Sequence, residues 1–280
     1  MTPVIERDLG ALRARVKAWK QAGDVVGVVP TMGALHAGHL SLAAAARAVC
    51  DRVIVTIFVN PKQFNNPEDL ANYPRTEVED AAKLAPIGVD VVYVPDGATV
   101  YPEGFSTTVT VEGVTECMDG VHRPGHFEGV ATVVAKLFTQ TAADKAFFGE
   151  KDFQQLLVVK RMAADLDIPI EVVGCPTIRE ANGLAMSSRN LRLSKGGFET
   201  AALLHTELQG IAAGLRDGEP FAVLRDRAIE ALNAAGYGEV EYIDLRGVNN
   251  LSLLWAAERP ARLFAAVWFE DVRLIDNIAV

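Results

Sequence analysis

Cysteine is scarce in this chain. Only Cys50, Cys117 and Cys175 occur among 280 residues, far apart and in no C-x-x-C pairing. That spacing argues against a disulfide framework and against a cysteine zinc site, and it suits a reducing compartment. Basic residues are also in deficit: 27 Lys and Arg face 36 Asp and Glu, and the formal net charge of -9 would repel an extended polyanion. With no extended basic segment to offset it, a nucleic-acid partner is not expected, although a small anion can bind at a local basic site. Long apolar runs are missing from the start of the chain. Met1 to Lys20 is broken by Glu6, Arg7, Asp8, Arg13, Arg15 and Lys17, which leaves neither a signal-peptide core nor a membrane span. A soluble cytoplasmic protein with no membrane partner is the expectation. Internal repeats and low-complexity tracts are lacking too, apart from the short alanine run Ala43 to Ala46.

What is present is apolar and patterned. Half of the chain is hydrophobic, enough for a substantial core, and the length suits a larger and a smaller domain. The most informative stretch is Val25 to Val49: a short apolar strand, a glycine-bearing turn and an alanine-rich helix. His36 and His39 bracket Ala37-Gly38 where that helix begins, beside unpaired backbone N–H groups and the positive end of the helix dipole. Phosphate is held well in such a place. The run Arg52 to Asn60 is apolar at nearly every position and stops at Pro61, as in a parallel strand covered on both faces. The loop after it lies at the carboxyl end of a buried strand, where ligands sit in open α/β sheets. Gln63 is therefore a candidate ligand residue, with a solvated glutamine as the plainer reading.

The remaining segments give a coarse outline. Ile5, Leu9, Leu12 and Val16 recur at helical spacing and predict an amphipathic helix ending near Gly23. Asn66-Pro67-Glu68-Asp69 reads as an N-cap with proline at the first helical position, and Thr76 with Glu79 reads as a capping box. Val89 to Val94 predicts a third buried strand, and Thr107 to Glu112 a more exposed one open to another subunit. His122 to Phe127 forms a loop in which Arg123 can meet phosphate, ahead of an apolar helix from Gly129 to Gln140. Ala146 to Phe148 repeats the opening arrangement, with Gly149-Glu150-Lys151-Asp152 turning into a helix that reaches Leu166. Asp152 and Gln155 have the spacing of a capping pair. Lys151 just ahead of a helix N-terminus opposes the dipole, and an anion between them relieves that.

Ile170 to Val173 closes the larger domain, and Cys175-Pro176 breaks the strand. Thr177 to Arg189 carries the Asn182-Gly183 turn signal and then Ser187-Ser188-Arg189, two hydroxyls and a guanidinium suited to phosphate oxygens. Beyond Ser194, helices over Phe198 to Leu215 and Pro220 to Ala234 precede strands near Val240 to Leu245, Arg262 to Phe269 and Val272 to Ile275. We place a domain boundary near Ile178, giving domains 1–177 and 178–280. The predicted fold class is α/β: an N-terminal Rossmann-like nucleotide-binding domain with a parallel sheet, plus a smaller α+β C-terminal domain.

Three separated segments thus offer backbone amides, hydroxyls or cations at a turn leaving a strand, which suggests one nucleotide site. The first, His36-Ala37-Gly38-His39, fits the H-x-G-H signature of the nucleotidylyltransferase superfamily. Zinc is a weaker reading of the histidines, since Gly38 lies between them and no fixed third ligand is identifiable. Buried structural histidines are the bland alternative.

Longer motifs run in order along the chain: Pro30-Thr31-Met32-Gly33 ahead of the histidines, Ile57 to Phe64 (IFVNPKQF), Phe148 to Gln155 (FGEKDFQQ) and Ala185 to Asn190 (AMSSRN). With Tyr73-Pro74-Arg75-Thr76, Arg123-Pro124-Gly125-His126-Phe127 and Arg273-Leu274-Ile275-Asp276-Asn277, the chain closely resembles the pantothenate synthetase family over essentially its whole length. The resemblance implies ATP-dependent condensation of (R)-pantoate with β-alanine through a pantoyl-adenylate, giving pantothenate, AMP and pyrophosphate. Magnesium would accompany ATP, and the assembly would be a homodimer.

The resemblance also distributes roles. Met32, Gly33, Ala34, Leu35, His36, Ala37, Gly38 and His39 would surround ATP, with His39 supporting pyrophosphate departure as a charged proton donor and His36 as its partner. Gly149, Glu150, Lys151 and Asp152 would form a second ATP loop, Lys151 reaching the phosphates. Met186 with the catalytic group Ser187, Ser188 and Arg189 would form the third. Here Ala185 precedes Met186 where the related K-M-S-K-S motif has lysine, and Arg189 stands at its second lysine position, so Lys151 would carry charge that this loop lacks. Ile178 backbone would touch adenine, Gln63 and Gln155 would bind pantoate through their amides, β-alanine would enter near Gln63, and the C-terminal domain would be a lid. Magnesium ligands stay open, with Glu79 and Asp80 as acidic candidates. So do two other functions: a nucleotidylyltransferase that leaves its nucleotide on the product, and a nucleotide-binding module without catalysis.

Overall fold

Neighbouring apolar side chains point to opposite faces of consecutive strands. Val28 and Val29, Ile54 and Val55, and Phe148 and Phe147 each send one side chain into one buried cluster and the other into a second, as pleating demands of a sheet covered on both sides. The structure, a computed structural model, describes residues 2–64 and 70–280. The Asn66 to Asp69 helix start lies outside the described residues. The chain separates into two compact units, Met1–Pro176 and Thr177–Val280.

The larger unit contains β1 (Val4–Glu6), β2 (Val26–Thr31), β3 (Arg52–Ile57), β4 (Val91–Tyr93), β5 (Lys145–Gly149) and β6 (Glu171–Cys175), all parallel in the order β1-β4-β3-β2-β5-β6. Its longer helices are α1 (Leu9–Gln21), α2 (Ala37–Val49), α3 (Glu77–Leu84), α4 (His126–Thr141) and α5 (Phe153–Asp165). Residues of α1, α4 and α5 join one buried cluster and those of α2 and α3 the other. Strands β3 and β4 lie to one side of β2 and β5 lies to the other. The winding direction therefore reverses between β2 and β5, and the turns leaving these strands flank a topological switch point.

Several local features differ from the sequence-based expectation. Ile5 lies in β1, paired with Val92, rather than in the first helix. Asp8 separates the two by capping α1, accepting from the Ala11 N–H at 2.7 Å. Thr107 to Glu112 forms no strand. The Val109 N–H donates to Thr132 Oγ1 of α4 at 2.9 Å and Val111 is buried, while Thr107, Thr108, Thr110 and Glu112 are exposed, so the segment alternates in burial without pairing to a strand of this chain. Thr76 forms no capping box with Glu79, because its hydroxyl donates to Asp80 Oδ2 at 3.0 Å. The helix expected from Gly129 starts at His126.

The smaller unit packs α6 (Lys195–Thr200), α7 (Leu203–Arg216) and α8 (Phe221–Ala234) with an antiparallel sheet of β7 (Val240–Gly247), β8 (Ala261–Phe269) and β9 (Val272–Ala279). Leu208, Leu232, Leu245 and Leu263 are at its centre. A turn at Ala201-Ala202 divides the single helix expected from Phe198 to Leu215. Among the described residues no helix is long and apolar enough to cross a membrane.

One close approach fixes the loop after β3. Gly129 of α4 faces the 61–63 turn so tightly that a Cβ there would lie 2.3 Å from the Lys62 carbonyl oxygen. Gly129→Ala should therefore destabilise the protein by about 1–3 kcal/mol, the scale of overpacking. Urea denaturation measures this, and an unchanged midpoint would contradict the contact.

Candidate active site

The turn after β2 is shaped by backbone conformation and by a carboxylate on α3. Gly33 has φ +87 and Ala34 φ +50, a left-handed pair that glycine tolerates and alanine does not favour. The Gly33 N–H donates to Thr31 Oγ1 at 3.1 Å, and the Leu35 N–H donates to Asp80 Oδ1 at 2.9 Å. Lys83 closes the turn by donating to the Leu35 carbonyl at 2.8 Å. Asp80 is fully buried and engaged with Leu35, Thr76 and Lys83. That makes it a support for the turn, while Glu79 is exposed on α3.

At the start of α2 the two histidines take the part that hydroxyl and carboxyl side chains play in a capping box. His36 is the N-cap and its Nδ1 accepts from the Gly38 N–H at 3.2 Å. His39 Nδ1 reaches back to the His36 N–H at 3.4 Å. A nitrogen that accepts carries no proton, so each neutral ring bears its hydrogen on Nε2. The ring centroids are 4.1 Å apart. Burial, then the Lys151 charge, lowers the His36 pKa to about 4, and burial, then His36, lowers that of His39 to about 3. In the unliganded protein the neutral form of His39 is therefore favoured, because a cation here would be desolvated beside a second ring and a lysine; the charged donor was expected with phosphate alongside.

Across the switch point, Glu150–Asp152 forms a short 3-10 turn between β5 and α5. Lys151 Nζ lies 3.6 Å from Asp152 Oδ1. Asp152 makes no side-chain cap bond, so the capping pair with Gln155 is not formed, and Gln155 is half-buried in the first turn of α5. Its neighbour Gln154 is structural: it donates to the Val114 and Cys117 carbonyls at 2.8 and 2.9 Å and accepts from the Asp119 N–H at 3.2 Å.

Gln63 is held from several sides. Its Oε1 accepts from Asn60 Nδ2 at 3.0 Å, so its amide hydrogens point away from Asn60, toward Met32 Sδ at 3.0 Å. Buried Asn60 also donates to the Gly129 carbonyl at 3.0 Å and accepts from Tyr101 at 2.8 Å. The Gln63 carbonyl accepts from His126 Nδ1 at 2.9 Å and from Arg123 at 3.4 Å. Arg123 also lies 3.1 Å from His126 Nε2 and 3.7 Å from Asp119. Asn60, Lys83 and His126 are not singled out by the sequence reading, and Asp80 enters it only as an acidic candidate for magnesium. For Asn60 and His126 the only signal was position within the motif segments.

The smaller unit holds the remaining candidates. The Ile178 carbonyl accepts from the Met186 N–H at 3.0 Å, and Ser187 caps the 3-10 turn Ser188–Arg192 by accepting from the Arg189 N–H at 3.2 Å. Ser187, Ser188 and Arg189 therefore share one short loop.

Residues 4–279 match the family described as Pantoate-beta-alanine ligase. A pantothenate synthetase of Ruegeria sp. (strain TM1040) is 64% identical over 280 residues, which is 100% of each chain. That of Caulobacter vibrioides is 50% identical, covering 100% of this chain and 99% of its own. The crystal structure of the pantothenate synthetase from Thermus thermophilus shares 43% identity and a TM-score of 0.92, covering 98% of each chain. The pantoate-beta-alanine ligase from Francisella tularensis, crystallised with beta-gamma ATP and beta-alanine, shares 34% identity and a TM-score of 0.82, covering 99% of this chain and 97% of its own. With matches of this identity along nearly its full length, the chain belongs to the pantoate–β-alanine ligase family.

Proposed function

We propose that the protein joins (R)-pantoate to β-alanine at the expense of ATP, in two displacements. In the first, a pantoate carboxylate oxygen attacks the α-phosphorus and the bond to the pyrophosphate oxygen breaks. In the second, the β-alanine amine attacks the acyl carbon of the pantoyl-adenylate, AMP leaves with the bonding electrons, and the amine releases its proton to water. No covalent bond to the enzyme is required. Catalysis then consists of alignment and stabilisation of charge on phosphate oxygens.

The observation that carries this reading is the pair of Nε2–H donors at the α2 N-terminus. Aimed at a departing pyrophosphate, they add to the helix dipole and to Lys151, and neutral rings give hydrogen bonds without protonation of the site. In this reading Met32 to His39 and Gly149 to Asp152 bind ATP, and Ser187, Ser188 and Arg189 contact its phosphates while the Ile178 backbone meets adenine. Gln63, whose Oε1 is taken by Asn60 and whose amide faces only the weak acceptor Met32 Sδ, suits the carboxylate and hydroxyl acceptors of pantoate. Gln155 joins it, and β-alanine follows near Gln63.

Among the described residues no group of three His, Cys, Asp or Glu side chains could hold a metal ion. Magnesium would accompany ATP, as the family resemblance implies, and no step is routed through it. A homodimer and a cytoplasmic location belong to the same proposal. They rest on family resemblance, joined for the location by three free cysteines.

Following ATP with pantoate and magnesium, with and without β-alanine, tests the reaction. AMP release sustained only when β-alanine is present is the expected result, and a nucleotide retained on the final product would contradict it. His39→Ala should lower turnover by roughly 10²- to 10³-fold, the scale of losing one charge-stabilising donor. Gln155→Ala should raise the KM for pantoate at an unchanged melting temperature. Lower melting with unchanged KM would instead return Gln155 to a structural role.

A further inference from the structure

Within the smaller unit the 178–190 segment folds back on itself. The Met186 N–H donates to the Ile178 carbonyl, Arg179 and Ala185 are bridged in antiparallel register, and buried Asn190 donates its amide to the Ala185 carbonyl at 3.1 Å. Local bonds thus fix the shape of the loop bearing Ser187, Ser188 and Arg189. Its position depends on whatever holds the two limbs.

The first limb is held by Arg179. Its guanidinium donates to both oxygens of Asp276 on β9, at 2.6 and 2.9 Å, and to the Gly183 carbonyl at 3.1 Å. The Asp276 side chain is 2% exposed. It also accepts from the Asn277 N–H at 2.7 Å, and His205 of α7 places Nδ1 3.4 Å from Oδ2. The second limb is held from the β8–β9 turn. Glu270 accepts the Ser194 N–H and the Ser194 hydroxyl, both at 2.7 Å, and Arg192 donates to the Asp271 carbonyl at 3.3 Å. Glu270 and Asp271 have φ of +47 and +59, values usually left to asparagine and glycine in such hairpins.

A buried carboxylate–guanidinium pair is a poor device for stability alone, because desolvation offsets its attraction and well-packed apolar residues serve as well. What a two-pronged fork supplies is direction. We propose that Arg179, Asp276 and Glu270 are positioning residues that fix both limbs of the 186–190 loop, so that Ser187, Ser188 and Arg189 meet the nucleotide's phosphates in one geometry. This rests on the phosphate-contacting role given to that loop above.

The test compares steady-state kinetics of Asp276→Asn, alone and combined with Arg189→Ala, with trypsin cleavage after Arg189 and Arg192 measured well below the melting temperature. Asp276→Asn should raise the KM for ATP roughly tenfold, a coupling typical of residues sharing one ion-pair network, and leave the KM for β-alanine unchanged. In the Arg189→Ala background the same substitution should have a clearly smaller effect, exerted through Ser187 and Ser188 alone, and trypsin should cut the single variant faster than the parent. Arg179→Lys, which keeps the charge and loses the fork, should fall between, and with Glu270→Gln it replaces Asp276→Asn if that variant does not fold. Equal effects in both backgrounds overturn the proposal, as does a lower melting temperature with unchanged KM and cleavage. If Arg189→Ala alone changes nothing, the phosphate role of the loop fails. Cleavage then decides the anchoring by itself, faster cutting supporting it and unchanged cutting overturning it.

Discussion

The N-terminus of α2 begins with backbone N–H groups that have no partner within the helix, and two histidines answer that need. By accepting through Nδ1, His36 and His39 satisfy the Gly38 and His36 amides and leave both Nε2–H groups as donors. The capping rings are the same rings to which we assign the donor role in the proposed reaction. The rest of the larger unit follows from this constraint: β2 must deliver the turn, Asp80 and Lys83 must hold it, and β5 must bring Lys151 alongside.

Much of this was legible because buried parallel strands are written as unbroken apolar runs. Arg52 to Asn60 and Val89 to Val94 declared themselves in this way, and the histidines were marked by their place at a helix start. Features fixed by distant partners were not legible. Ile5 has helical spacing with Leu9, yet it pairs with Val92, far along the chain. Thr107 to Glu112 alternates like a strand, yet its backbone bonds to the Thr132 hydroxyl. The burial that lowers the His39 pKa in the unliganded protein was hidden for a related reason: the sequence shows a phosphate-binding pattern but not how deeply the ring is enclosed.

The same burial ties stability to acidity. Both histidine pKa values lie below the ordinary 6.5, so the unfolded chain binds protons that the folded one refuses. The contribution of these two rings to stability is full above 6.5 and is lost as pH falls toward 4 and then 3. In the proposed reading an acidic protein would hold phosphate with dipoles and neutral donors, supplemented by Lys151, rather than with a broad basic surface.

The most direct measurement is nitrogen-15 NMR of the histidine rings in the unliganded protein, titrated downward from about pH 7, just above the ordinary histidine range. Neutral His36 and His39, both with hydrogen on Nε2 and neither protonating until the pH is well below the ordinary 6.5, is the result this account predicts. Either of these two rings titrating near 6.5, or bearing its hydrogen on Nδ1, would contradict it.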